Sequence, residues 1–314
     1  MLGKKKFFWF LLFFTFNAYA NQIWFCPINT DFINSQNSIS EWPNAAKNIK
    51  VVKLYHGLIY NTKMSILKEK FNTLHALGIK VAIELPVMIE SGKKRKKYIE
   101  GFENESYVKE IISKLSHNGI AVDYFVMDEP LYFGAYRGRN KTAMTAEEAV
   151  ESVVKRSIDN IALIKKVYPN AALGLVEPIQ LFKHNDFYDY FDLYNNKMKS
   201  HGIDIKFVQD DIVWNKFNMD AIVKLYNKLK NNNIDFDIII NASKKSTSNS
   251  QWIKSANDNL ILMASFFKNN RVGIVFQSWN KHPSKIIPEW DADSHLSQII
   301  FFNRLMQNKN IGIQ

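Results

Sequence analysis

Apolar residues in this chain fall into eight short runs, separated by longer stretches with helical spacing. The runs are residues 22–28, 50–55, 80–85, 122–127, 172–176, 205–208, 236–240 and 272–276. Most are continuously apolar rather than alternating, as expected for strands covered on both faces. They recur roughly every 30 to 50 residues, the length of a βα unit. Between them, Met64, Leu67, Phe71 and Leu74 form one helical stripe, closed by Gly78. Val108, Ile111, Ile112 and Leu115 form another, closed by Gly119, where glycine turns the chain out of a helix at little cost. Thr145 and Glu148 fit a capping box that opens a helix running to about Tyr168, stopped by Pro169. Residues 186–199, 219–229, 251–268 and 294–307 have helical patterns too, and 41–48 predicts a short helix.

Strict alternation of eight strands and eight helices predicts an α/β fold, a single-domain (β/α)8 TIM barrel. An open doubly wound sheet is the alternative. No glycine-rich phosphate loop follows an early strand, so no nucleotide-binding fingerprint supports it. The longest excursion, residues 131–144, carries Tyr132, Phe133, Tyr136, Arg137 and Arg139 and is expected as a loop over the active face.

The first twenty of the 314 residues stand outside this pattern. Lys4–Lys6 form a basic region, Phe7–Phe16 an apolar one, and Ala18-Tyr19-Ala20 a small-residue cleavage site. Together they predict a signal peptide over 1–20 and an exported domain over 21–314. A secreted or periplasmic monomer follows, with no integral membrane segment after cleavage.

Charge adds little to this picture. The formal net charge of +11 becomes +8 without Lys4–Lys6. The remaining lysines are scattered among acids on the predicted helices, which argues against a nucleic-acid partner. The one cluster, Lys93–Lys97, reads as a solvated loop, with docking to an acidic surface as the alternative. Cys26 is the only cysteine, so no intramolecular disulfide forms. No His-x-His or His-Glu-x-x-His motif is present, and neither a metal nor another cofactor is expected.

In a barrel, chemistry gathers at the carboxyl ends of the strands. Here those ends carry Asn29 and Asp31; Tyr55 and His56; Glu84; Asp128-Glu129-Pro130; Glu177-Pro178; Gln209-Asp210-Asp211 with Trp214 beyond; Asn241; and Gln277-Ser278-Trp279-Asn280. Acids, amides and aromatic rings on one rim suit a sugar, whose hydroxyls need acceptors and donors and whose ring faces stack on aromatics. Glycosidic cleavage needs two carboxyl groups, one of them kept protonated. Glu129 is the expected proton donor. Side chains alternate along a strand, so Asp128 and Glu129 should not both face the axis. The partner acid is Glu177 on the next strand, or Asp210 or Asp211 one strand further. Neighbouring strands lie about 4.8 Å apart and favour a close, retaining pair; twice that separation favours an inverting pair. Trp279, Gln277, Asn241, Tyr55, Glu84 and Trp214 are the candidate sugar-binding residues. His56 reads as a polar rim residue rather than a metal ligand.

The Trp24-Phe25-Cys26-Pro27-Ile28-Asn29 opening, Met127-Asp128-Glu129-Pro130, Glu177-Pro178 and Phe276-Gln277-Ser278-Trp279 resemble secreted bacterial (β/α)8-barrel glycoside hydrolases over nearly the whole mature chain. One large clan of these places an Asn-Glu-Pro acid/base on strand four and a nucleophilic Glu on strand seven. Asp128 and Asn241 depart from that pattern. Chitinase-like barrels share a Glu ending strand four and a Trp ending strand eight, but not the spacing of acids before that Glu. Other clans pair acids from strands four and six, as Asp128 or Glu129 with Asp210 or Asp211 would. The resemblance implies an exported hydrolase of a polysaccharide or glycan. A non-catalytic carbohydrate-binding barrel and a metal-dependent phosphodiesterase are the alternatives.

Overall fold

The structure, a computed structural model, describes residues 22–33, 39–90, 99–139, 144–183, 186–243 and 246–307. The expected signal peptide and the Lys93–Lys97 cluster lie outside the described residues.

Eight parallel strands close into a barrel: β1 Ile23–Cys26, β2 Ile49–Tyr55, β3 Lys80–Leu85, β4 Tyr124–Asp128, β5 Ala172–Glu177, β6 Ile205–Asp210, β7 Asp235–Ile240 and β8 Gly273–Gln277. Each pairs with its sequence neighbours, and β8 pairs with β1. Closure removes the edges on which an open sheet would end, so the doubly wound alternative is excluded. Around the barrel lie α1 Pro43–Asn48, α2 His56–Asn61, α3 Met64–Ala76, α4 Glu105–His117, α5 Ala146–Val167, α6 Asp186–Ser200, α7 Met219–Asn231, α8 Asn249–Asn269 and α9 Ser297–Gln307. Thr145 and Glu148 form the expected capping box at the start of α5. Among the described residues, no helix is long and apolar enough to cross a membrane.

Strand alternation splits the apolar residues into two cores. One set packs with the helices; the other fills the barrel with Trp24, Cys26, Val51, Ala82, Val126, Val176, Phe207, Ile239 and Val275. The ring of Phe207 takes the space left by Gly174, where an added Cβ would lie 2.3 Å from it. This parity fixes which strand-end residues face the axis: positions two beyond an interior residue do, and their neighbours face the helices.

Two regions differ from expectation. His56 opens α2, which directly follows β2. The expected loop after β4 is instead a π-helical segment, Pro130–Tyr136, followed by a short turn of helix at Arg137–Arg139. It buries Leu131, Ala135 and Tyr136. Tyr136 and Tyr132 pack against Phe182 at ring distances of 4.8 and 5.5 Å. Aromatic burial on one face, not solvation, therefore shapes this excursion.

Candidate active site

β4 ends with Asp128, two positions beyond interior Val126, so Asp128 faces the axis. Glu129 follows in the left-handed conformation, φ 42° and ψ 43°. A side chain there carries roughly 1 kcal/mol or more of strain, and such strain gathers at functional sites. The left-handed turn takes Glu129 out of the strand, so strand alternation does not set where its carboxyl faces.

The kink is held from the next strand. Pro130 has no N–H to offer, and the next two amides point at Glu177. Leu131 N and Tyr132 N donate to the two carboxylate oxygens of Glu177, at 2.7 and 2.9 Å. Glu177 follows interior Val176 and so faces the helix layer. The structure gives this acid the task of an N-terminal cap, supplied in trans to the π-helical segment.

The same parity separates Asp210 from Asp211. Phe207 faces inward, hence so do Gln209 and Asp211. Asp210 faces outward, where it accepts from Gln180 Nε2 at 2.8 Å. Asn241 Nδ2 donates to Asp211 Oδ1 at 3.3 Å, across from β7 to β6. Asp211 is also the charge acting most strongly on Glu129, whose carboxyl is pushed up to about 11, first by burial and then by Asp211, Asp128, Glu100 and Glu177. Burial, Asp210 and Glu84 likewise hold Asp211 well above the usual carboxylate range, against Lys53. Burial, Glu84 and Glu100 raise Asp128 to about 8, opposed by an N–H from Gly101 at 3.2 Å and by Lys53. The structure thus brings Asp128, Glu129 and Asp211 to one mouth, and turns Glu177 and Asp210 away from it.

The candidate sugar-binding residues also divide. Tyr55 donates to Ser278 O at 3.1 Å and closes the β2–β8 side of the rim. Gln277 is buried at the carboxyl end of β8, and its Oε1 has no hydrogen-bond partner among the described residues. Trp279 is 48% exposed beside it. Trp214 is instead buried and stacked on Phe217 at 5.7 Å, within the outer core. Glu84 pairs with Lys53 Nζ at 2.6 Å. His56 Nδ1 meets Tyr107 OH at 2.7 Å. Among the described residues, no three His, Cys, Asp or Glu side chains are placed to hold a metal ion.

Sequence reasoning missed Lys53, Asp237 and Gly101. Lys53 Nζ also donates to Gln209 Oε1 at 2.8 Å, and Gln209 Nε2 to Asp237 Oδ2 at 3.1 Å. Each of these polar residues sits two positions from an interior apolar neighbour, and that spacing was the available signal. Gly101, at φ +78°, passes so close to β4 that an added Cβ would lie 2.3 Å from Asp128 O.

In sequence, no family model and no curated protein matches the chain. In structure it is similar to xylanase 10B from Thermotoga maritima, with a TM-score of 0.52 and 11% identity over 92% of this chain and 97% of that one. It is similar as well to xylanase 10B from Thermotoga petrophila RKU-1 in complex with xylobiose, at TM-score 0.55 and 11% identity over 92% and 96%. Xylanase XynB from Paenibacillus barcinonensis, complexed with a conduramine derivative, gives 0.54 and 11% over 92% and 96%. The likeness shows the barrel fold.

Proposed function

We propose that this protein is an exported glycoside hydrolase that cleaves a polysaccharide or glycan with two carboxyl groups. The observation that carries the reading is the left-handed Glu129, which adds a third acid to Asp128 and Asp211 at the carboxyl mouth of the barrel. Structural neighbours whose own names are xylanases support the same class.

Glu129 is the general acid: burial and four neighbouring acids keep its proton on at neutral pH, ready for the leaving oxygen. Asp211, oriented by Asn241, is the partner carboxyl; burial holds it well above the usual carboxylate range, so it accepts a proton from the attacking water only in its ionised fraction. It stands one strand beyond the nearest neighbour of β4, a separation that favours inversion at the anomeric carbon. Asp128 raises Glu129 and orients the pair. Glu177 supports the geometry through its cap, and Asp210 packs outside the barrel wall. Trp279 and Gln277 receive the sugar, by stacking and by an accepted hydrogen bond.

The test is a glycan screen with the secreted protein, read for reducing ends and for the anomer first formed. Glu129→Gln should lower turnover about 100- to 10,000-fold while keeping the fold. Unchanged turnover in that variant ends the assignment. A second reading, a non-catalytic carbohydrate-binding barrel, is favoured by Asn241, an amide where a barrel hydrolase of the large clan has its nucleophile. Glycan binding without any release of reducing ends would select it.

A further inference from the structure

The supports of two mouth acids meet on one side chain. Asp128 accepts from Gly101 N at 3.2 Å. Glu129 is where the π-helical segment starts, and Phe133 N donates back to Glu129 O at 3.2 Å. Met88, fully buried, lies between these supports. A Cβ placed on Gly101 would lie 2.8 Å from Met88 Cε. A Cβ placed on Gly134, inside the π-helical segment, would lie 2.5 Å from Met88 Sδ. The thioether therefore fills the space that two glycines leave. The backbone around Met88 is itself pinned. Val87 O accepts from Asn160 Nδ2 of α5 at 2.9 Å, and Ile89 O from Arg156 Nη1 of α5 at 3.3 Å. Met88 N donates to Gly101 O at 3.0 Å.

We propose that Met88 is a positioning residue of the candidate active site: its thioether, wedged between Gly101 and Gly134, fixes the carboxyl of Asp128 against the turn at Glu129. The proposal deepens the hydrolase reading and rests on it for any effect on turnover. Neither support fixes itself. Gly101 stands at φ +78° with no side chain of its own to hold it. The segment carrying Gly134 is π-helical, a geometry that is rare and short and is kept where neighbours hold it. Val153 of α5 closes on Gly134 too, 2.7 Å from the same added Cβ.

The side chain suits the task. Methionine is unbranched and adaptable, so its sulfur and its terminal methyl can serve two different neighbours. Here the sulfur meets Gly134 and the methyl meets Gly101. Leucine has nearly the same volume but ends one atom earlier. It would reach the position of the sulfur and not that of the methyl. Met88→Leu thus keeps the core filled while it withdraws support from Gly101, and separates positioning from packing. Gly134→Ala works from the other side: its methyl group would push the sulfur away and leave Met88 itself unchanged.

The test is an NMR titration of the full chain that follows the Asp128 carboxyl and the Gly101 amide together, assigned with Asp128→Asn. In the parent the amide should follow the carboxyl, because it donates to it. In Met88→Leu the carboxyl midpoint should rise by about one pH unit, since the ionised form loses an N–H donor, and the amide should cease to follow it. Gly134→Ala should do the same, and decides the matter if Met88→Leu does not fold. Lys53, Glu84, Glu100, Glu129 and Glu177 share the surroundings of Asp128, and none of these substitutions removes them. Met263→Leu, the same exchange in the outer core on α8, should move neither signal. An unmoved midpoint in Met88→Leu, or an equal rise in Met263→Leu, overturns the proposal. No substrate enters this titration, so its outcome is separate from that of the glycan screen. Where the hydrolase reading holds, Met88→Leu should lower kcat about tenfold or more with little change in KM.

Discussion

The barrel has two mouths, and both carry charge. The amino-terminal mouth opens on a cavity of about 360 Å³, lined among others by Lys50, Lys80, Tyr124, Asp235 and Asp237. Lys50, Lys80 and Asp235 are exposed there, and cations and anions share the lining. Exposed, mixed charge costs a fold little and contributes little, because water and salt screen it. The carboxyl mouth collects Asp128, Glu129 and Asp211 above Glu84, and Lys53 beneath them is already engaged. Charge alone does not separate the two ends. Burial of acids together does: that arrangement lowers stability, and such arrangements cluster at functional sites.

The sharpest contrast is in activity. Asp211→Asn should reduce turnover roughly 100- to 10,000-fold, and Asp235→Asn at the opposite mouth should stay within about twofold, since a surface change far from the chemistry is nearly neutral. Equal losses in a steady-state assay would erase the distinction. Next in size is Gly101→Ala. Its methyl group would meet Asp128 O at 2.3 Å, at a φ of +78°. The expected loss is about 2–3 kcal/mol in a urea unfolding curve, with activity falling alongside as Asp128 is displaced. A variant as stable as the parent would show that the approach to β4 is looser than drawn.

The smallest effect runs the other way. Glu129 keeps its proton in the folded chain up to about pH 11, whereas the unfolded chain releases it near the ordinary value. A raised folded pKa contributes stability fully below the unfolded value, and that contribution declines as pH rises toward the folded one. Glu129→Gln carries no such dependence. It should therefore melt close to the parent at pH 4 and higher than the parent at pH 8. A lower melting point at pH 8 would mean that Glu129 is paired rather than strained.

The strands were legible because their apolar runs are continuous and β-branched; β3 begins at Lys80 and ends at Leu85 as read from sequence. The helices after β3 and β4 were legible from their stripes and from Thr145 and Glu148. The division of labour among acids was not. In strands apolar on both faces, alternation alone does not say which parity is inside, so Glu177 and Asp211 looked equivalent. The structure separates them through their neighbours: Val176 faces the axis before Glu177, and Gln209 before Asp211. No residue pattern announces a left-handed glutamate, and the alternation rule does not extend to Glu129 for that reason. The π-helical segment hid between the proline that opens it and the Arg137-Gly138-Arg139 turn just past its end. Lys53 was invisible because β2 carries two lysines, and nothing in the sequence tells buried Lys53 from exposed Lys50 until the strand is seen to lie in a closed barrel.

The polar brace across the barrel also bears on how the chain reaches this state. Lys53 meets Glu84 31 positions later, but its second partner, Gln209, lies 156 positions away. Asp237 completes the brace 28 positions beyond that. A nascent chain that has built only β1 to β5 holds an ammonium with half its partners unmade. The first half of the barrel is thus a poor resting place: the brace rewards only the chain that has delivered β6 and β7, tying early and late strands into one cooperative event whose distant contacts make it slow.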